Sequence, residues 1–164
     1  MKSFLEHYYR LLKVILTLLM GLIILPVALQ VLSRHTGFIP RYIWTEEVAR
    51  FCFVWIIMIG AIIAVRDGTH FDVDLLPEPK TKRSHGIRNL IVHGGMSLMA
   101  VFFSWYGYQF AQFGFIQTSE MSGINMLSIY ISFPLAGVTW LLFLAEKIVE
   151  DIRMMKTPES EGAE

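Results

Sequence analysis

The sequence predicts an all-α integral membrane protein with four transmembrane helices. Four runs without any Asp, Glu, Lys or Arg predict this fold, and together they hold 91 of the 164 residues: 14–33, 51–65, 89–119 and 121–145. A soluble domain is about one quarter charged throughout, so charge-free blocks of this size exclude one. They also exclude a disordered chain, which combines low hydrophobicity with high net charge. The net charge of zero gives no indication of a nucleic-acid partner.

The lengths of the runs place the spans. A helix rises 1.5 Å per residue, so crossing a hydrocarbon layer of ~30 Å takes roughly 20 residues. The run that follows Arg50 has only 15 residues, so its helix must begin before that arginine. We predict a single membrane domain, residues 1–164, with spans at about 14–33, 44–65, 91–115 and 124–145. Transmembrane β-strands would instead show short alternating segments, which the sequence lacks.

The first span follows Lys2, Arg10 and Lys13, an arrangement that secretory signals also show. Its charge-free run is longer than a signal core, and no small-residue cleavage site follows Pro26. We therefore predict a retained anchor. We also expect a kink at Pro26, because proline has no amide hydrogen to donate.

The second span begins with a dense group of charges, in the run WTEEVAR that starts at Trp44. Thr45 is placed to cap the helix. Glu46 and Glu47 precede Arg50 by four and three residues, so both can pair with it on a helix. One interpretation is an amphipathic helix start at the membrane surface, with Trp44 as an aromatic anchor. The other is that the three charges hold a partner protein or a lipid head group.

The same span ends in the run RDGTHFDVD, which starts at Arg66. Gly68 is predicted to end the helix, since glycine commonly follows the last helical turn. His70, Asp72 and Asp74 alternate and could face one cation. Two carboxylates and one histidine without a defined loop are a weak metal signal, so turn bonding is the better interpretation.

The third span carries small residues at helical spacing, which predicts close packing against another helix in this chain or in a partner. The stripe consists of His93, Ser97, Ala100, Ser104, Gly107 and Ala111. His93 is the one histidine inside a charge-free run. A lone histidine one turn from a helix end predicts a packed, hydrogen-bonded side chain rather than a haem or metal ligand.

The fourth span contains Pro134, which is expected to kink the helix and free the carbonyl of Tyr130.

The basic residues indicate how the chain is oriented in the membrane. With both termini in the cytoplasm, eleven of the fourteen Lys and Arg residues lie on the cytoplasmic side, as the positive-inside rule requires. The longest connection, from Arg66 to Asn89, is then a cytoplasmic turn followed by a solvated basic strip.

The chain resembles the small membrane subunit of tripartite ATP-independent periplasmic (TRAP) transporters, the DctQ-like small permease. Two local signatures carry the resemblance. The first is Trp44-x-Glu46-Glu47-x-x-Arg50 leading into Phe53-x-Trp55 and Gly60-Ala61, and the second is Arg66-x-Gly68-x-His70 followed by Val73-Asp74-Leu75-Leu76. The size and the four predicted spans also match, so the resemblance covers nearly the whole chain.

The resemblance implies an accessory subunit in the bacterial inner membrane that supports a large multi-span transport subunit. It implies sodium coupling in that subunit, a periplasmic solute-binding protein, and solutes such as dicarboxylates, sialic acid or other sugar acids. No catalytic, substrate-binding or metal residue and no cofactor is expected in this chain. The candidate contacts with a partner or with lipid are Trp44, Glu46, Glu47, Arg50, Arg66 and His70.

Two other functions compete with this one. A haem-binding membrane anchor of a redox enzyme would hold haem between histidines on two spans, which a Soret band would reveal. A small self-sufficient exporter would need a carboxylate at mid-depth for proton coupling, and the predicted spans have none.

Overall fold

The computed structural model describes residues 2–36, 42–68, 82–119 and 123–156. These residues form five helices, in the order α1 Lys2–Thr36, α2 Ile43–Asp67, α3 Lys82–Ile116, α4 Leu127–Tyr130 and α5 Ser132–Lys156. Four helical segments are long and apolar enough to cross a membrane, namely Leu5–Thr36, Trp44–Asp67, Ile87–Ile116 and Leu127–Arg153. The predicted all-α fold with four spans is therefore confirmed.

Three helices extend beyond the predicted spans. α1 begins at Lys2 rather than near residue 14, α3 begins at Lys82 rather than near residue 91, and α5 continues to Lys156. The predicted spans follow the charge-free runs and therefore end at the first charged residues. Lys, Arg and Glu are good helix formers, so a helix need not stop where it leaves the lipid. The solvated strip predicted before Asn89 is therefore helical from Lys82 onward.

The helices pack in the order α1, α2, α5, α3, because α1 lies on α2, α2 contacts α5, and α5 lies closely on α3. The small-residue stripe of α3 makes the last of these contacts. A Cβ placed on Gly137 of α5 would lie 2.6 Å from the backbone nitrogen of Ser104, and one placed on Gly107 would lie 2.8 Å from that of Pro134. The predicted packing face is thus used inside this chain.

The two prolines differ in their effect on the helices. α1 is assigned as one helix that continues through Pro26. The fourth span is divided at Ile131, and Pro134 lies in the first turn of α5. A proline is tolerated in a first turn because the amide there has no partner inside the helix.

Large apolar side chains cover the outward surfaces of α1 and α3. Leu18 and Ile24 on α1 and Trp105 and Phe113 on α3 are each more than 60% exposed. A soluble chain would bury such residues, whereas lipid or a partner helix can cover them in a membrane.

Candidate functional site

The N-terminal end of α2 holds four of the six candidate contact residues. The helix begins at Ile43, and Tyr42 is its N-cap, with an extended backbone and no side-chain capping bond. The prediction that Thr45 caps the helix is wrong, because the helix begins before it. Thr45 is buried inside the first turn, and its hydroxyl donates to the carbonyl oxygen of Tyr42 at 2.6 Å.

One of the two predicted ion pairs forms. Nη2 of Arg50 lies 3.3 Å from Oε1 of Glu46, and both side chains are about half exposed. Surface pairs of this kind contribute roughly 0–1 kcal/mol. The second pair, between Glu47 and Arg50, does not form among the described residues. Glu47 instead accepts a hydrogen bond at Oε1 from the hydroxyl of Ser119.

Ser119 is positioned by the connection between α3 and α4. Its backbone amide donates to the carbonyl of Ile124 at 2.9 Å, and an isolated antiparallel bridge joins Thr118 to Asn125. Gly123 makes this turn possible, since its φ of 70° lies in the left-handed region that other residues rarely adopt. The turn holds Ser119 against the side of α2 that carries Glu47.

A cavity of about 280 Å³ lies between the start of α2 and this turn. Its lining residues come from α2, from this turn and from α4: Glu47, Val48, Arg50, Phe51, Ser119, Ile124, Asn125, Met126, Ser128 and Ile129. Nε1 of Trp55 donates to the carbonyl of Ser128 at 3.0 Å, and this bond joins α4 to α2. Oε2 of Glu47 is buried and has no hydrogen-bond partner among the described residues.

Trp44 lies at the helix start and is 48% exposed, with its ring centroid 6.2 Å from that of Tyr42. Two exposed aromatic rings at the end of a membrane-length helix fit the aromatic belt of a membrane surface. It stays a prediction that a partner or lipid contacts Trp44, Glu46, Glu47 and Arg50.

The C-terminal end of α2 holds Arg66, which the structure places against α1 and α5. Its guanidinium carbon lies 4.9 Å from the ring centroid of Tyr9 and 5.0 Å from that of Phe143. Nη1 of Arg66 also donates to the carbonyl of Leu5 at 3.4 Å. These contacts give Arg66 a structural role inside the bundle, and its contact with a partner stays a prediction.

Gly68 ends α2 as predicted, with a φ of 76°. The last turn is also held from α5, because Nζ of Lys147 donates to the carbonyl of Val65 at 2.9 Å. The three residues considered for a cation, His70, Asp72 and Asp74, lie outside the described residues, as does the contact predicted for His70.

His93 is packed and hydrogen-bonded, as predicted. Its Nδ1 lies 2.6 Å from Oδ2 of Asp151 on α5, and Nδ2 of Asn89 donates to Oδ1 of the same carboxylate at 3.4 Å. The carboxylate is almost fully buried, with a side-chain exposure of 4%. Asp151 was not identified from the sequence because it lies beyond the fourth charge-free run. The helical periodicity could have predicted its burial, since Asp151 lies seven residues, or about two turns, after the buried Leu144 and so on the same face.

Ser119 and Ser128 were also not identified from the sequence. The available signal was the turn composition around Gly123 and Asn125, between two apolar runs. That signal predicts a turn, but it does not predict which helix the turn contacts.

Comparisons with known proteins agree with this architecture. The family of tripartite ATP-independent periplasmic transporters, DctQ component, matches residues 23–154. Two Haemophilus influenzae proteins assigned as TRAP transporter small permease proteins are also similar. One is 27% identical over 115 residues, which is 67% of each chain. The other is 23% identical over 155 residues, which is 93% of this chain and 94% of the relative.

A third relative is the sialic acid TRAP transporter permease protein SiaT of Haemophilus influenzae, 26% identical over 109 residues. The match covers 66% of this chain but only 18% of SiaT, so the chain corresponds to a small part of that longer permease. Since the family match covers most of the sequence, including three whole membrane-length segments and the C-terminal part of α1, the chain belongs to the DctQ component family of tripartite ATP-independent periplasmic transporters.

Proposed function

We propose that this chain is the accessory small permease subunit of a sodium-driven secondary transporter, and that it supports a large transport subunit without forming the solute site. The observation that carries the proposal is the family match over residues 23–154. The distribution of charge supports it. The middles of the four predicted spans carry no Asp, Glu, Lys or Arg, whereas substrate and ion pathways through membranes use such groups at mid-depth.

The imported solute is proposed to bear a carboxylate and to be delivered by a periplasmic binding protein. Support for the solute class comes from SiaT, whose name refers to sialic acid. A dicarboxylate or another sugar acid fits the same class. The groups that select the solute and couple it to sodium belong in the large subunit, and the chain itself acts as a transporter subunit rather than an enzyme.

The proposed location is the bacterial inner membrane, with both termini in the cytoplasm. With four membrane-length helices, the two ends of the chain lie on the same side of the membrane, and the positive-inside rule assigns that side to the cytoplasm. Alkaline phosphatase fused after residue 164 is therefore expected to be inactive in a bacterial host. A fusion in the loop between α1 and α2 serves as the control and should be active. High activity of the C-terminal fusion would show that the orientation is the opposite of the proposed one.

The experiment that tests the partnership is copurification of the tagged chain with the large subunit from native membranes. Arg50→Ala is expected to lower the recovered large subunit about threefold or more. The reason is that the charges at the start of α2 lie on the exposed part of the helix, where a partner can reach them, and a desolvated charge pair contributes more than a solvated one.

Arg10→Ala is the matched control for this variant. Arg10 pairs with Glu6 at the same spacing, with Nη2 and Oε1 4.0 Å apart, on another exposed helix surface. Equal recovery of the large subunit with both variants would show that Glu46 and Arg50 form only an ordinary surface ion pair. Failure of the wild-type chain to retain any large membrane protein would count against the proposed function itself.

A further inference from the structure

The outward surface of α3 carries a line of exposed side chains that the described helices leave uncovered. Its six members follow one another at steps of four and three residues: Leu98, Phe102, Trp105, Gln109, Gln112 and Ile116. On a helix such steps keep side chains on one face, as in the seam between two packed helices. This α3 seam lies roughly opposite the face of α3 that packs on α5, where Ala100 and Gly107 are buried.

Two glutamines distinguish the α3 seam from a surface suited to lipid. No hydrogen bond between described residues involves the side chain of Gln109 or Gln112. A glutamine amide has two N–H donors and a carbonyl acceptor, and it is strongly unfavourable in hydrocarbon when these have no partner. On α1, by contrast, the exposed Thr17 donates to the carbonyl of Lys13 in its own helix at 2.9 Å. Thr17 can therefore face lipid, whereas the α3 seam needs a hydrogen-bonding partner.

The depth of the two amides in the membrane keeps water from being that partner. A hydrocarbon layer of ~30 Å takes roughly 20 residues of helix. Centred on the charge-free run 89–119, the layer covers about residues 94–114, so Gln109 lies inside it and Gln112 lies near its edge. Side chains on a helix lean toward its N-terminus, which for α3 is away from the nearer membrane surface. Both amides therefore lean further into the layer.

The length and the polarity of the seam indicate that a membrane-spanning helix covers it. From Leu98 to Ile116 a helix rises about 27 Å, nearly the thickness of the hydrocarbon. A lipid acyl chain could lie along this surface, but it offers the amides neither a donor nor an acceptor. A helix of another chain offers both, since polar side chains hydrogen-bond across helices in membranes. Trp105, 67% exposed, supplies a large aromatic anchor of the kind that dominates protein interfaces.

The similarity to SiaT favours the large subunit over a second copy of this chain as the source of that helix. The part of SiaT that is similar to this chain makes up 18% of a longer permease. That part is joined to the rest of the permease in a fixed ratio, so a contact between them needs no second copy.

We propose that the α3 seam packs on a transmembrane helix of the large transport subunit, and that Gln109 hydrogen-bonds to polar groups of that helix. This inference rests on the proposed function, which names the large subunit as the partner but not the surface of this chain that meets it. The seam is also on a different helix from the charges at the start of α2, so the two contacts can be tested separately.

The first test places the photo-crosslinking residue p-benzoylphenylalanine at Phe102 of the tagged full-length chain, which is co-expressed with the large subunit. Phe102 belongs to the seam, and the replacement keeps an aromatic ring there. Leu18, exposed on α1, is the control site, because α1 lies at the other end of the row of helices. After irradiation of the membranes, the large subunit is expected in the crosslinked product from residue 102 and not in that from residue 18.

The second test compares glutamine-to-leucine variants by the amount of large subunit that copurifies. Gln109→Leu is expected to lower the recovery about threefold, the effect of one interhelical hydrogen bond in a membrane. Gln112→Leu, near the edge of the hydrocarbon, should lower it less. Gln117→Leu is the matched control, since Gln117 is exposed just beyond the end of α3 and should leave the recovery unchanged. Leucine is favourable in lipid, so the amount of each variant in the membrane should not fall.

The proposal is overturned if residues 102 and 18 crosslink the large subunit equally, or if Gln109→Leu retains as much of it as the wild-type chain. A crosslink from residue 102 to a second copy of this chain, without the large subunit, would assign the seam to a homodimer and overturn the proposal as well. In each of these cases the wild-type chain still copurifies with the large subunit, so the proposed function stands. If the wild-type chain retains no large subunit, the proposed function and this inference fail together.

Discussion

His93→Ala is expected to destabilise the chain by about 1–3 kcal/mol, the typical cost of leaving a buried hydrogen-bonding group without its partner. In the wild-type chain, Nδ1 of His93 lies 2.6 Å from Oδ2 of Asp151. Without the imidazole, the longer bond from Asn89, at 3.4 Å, is the one that the described residues still give this buried carboxylate. The measurement is thermal unfolding of the purified chain in detergent, followed by tryptophan fluorescence.

The control for His93→Ala is His35→Ala. His35 is exposed at the end of α1 and bonds the carbonyl of Val31 in its own helix at 3.0 Å, so its removal should shift the midpoint little. Adding Asp151→Asn to His93→Ala should recover part of the loss, because the neutral amide costs less to bury than an unpaired carboxylate. Equal midpoints for the His93 and His35 variants would show that the buried pair does not hold α3 to α5.

Gly137→Ala is expected to separate α3 from α5 and to cost about 1–3 kcal/mol, the usual range for overpacking a close contact. The added Cβ would lie 2.6 Å from both the backbone nitrogen and Oγ of Ser104, and 2.9 Å from the carbonyl oxygen of Ala100. Two of these three atoms belong to the backbone of α3, so a rotamer change cannot relieve the clash. The measurement is the unfolding midpoint together with the amount of chain in the membrane.

Gly94→Ala is the matched control, since it places the same methyl group on α3 where no heavy atom lies within 4 Å. Because alanine is the better helix former, this variant should be neutral or slightly stabilising. The account of the α3–α5 contact fails if the Gly137 variant keeps the wild-type midpoint while the Gly94 variant loses stability.

Much of the fold could be predicted from the sequence because lipid imposes one constraint on every span. Backbone groups in hydrocarbon must bond internally, so a charge-free run of sufficient length predicts a helix. The same constraint ends at the membrane surface. The first turns of α3 from Lys82 and the last turns of α5 up to Lys156 are therefore helical for local reasons, which the distribution of charge did not reveal.

The candidate site could be predicted only along one helix. The i,i+4 spacing of Glu46 and Arg50 predicted their pair, because both partners lie on α2. The bond from Ser119 to Glu47 and the pair of His93 with Asp151 join residues that are 72 and 58 positions apart. Such contacts depend on how the helices cross. The pattern of small residues indicated that α3 has a packing face, but it did not identify α5 as the helix that covers it.

The central claim, that this chain supports a transport subunit but does not itself transport, is tested most directly by uptake into liposomes. The chain alone, the large subunit alone and the two together are reconstituted, with the binding protein outside, radiolabelled sialic acid or succinate as the solute, and an imposed inward sodium gradient. The account predicts saturable uptake only when both membrane subunits are present. Saturable, sodium-dependent uptake by liposomes that contain this chain alone would contradict it.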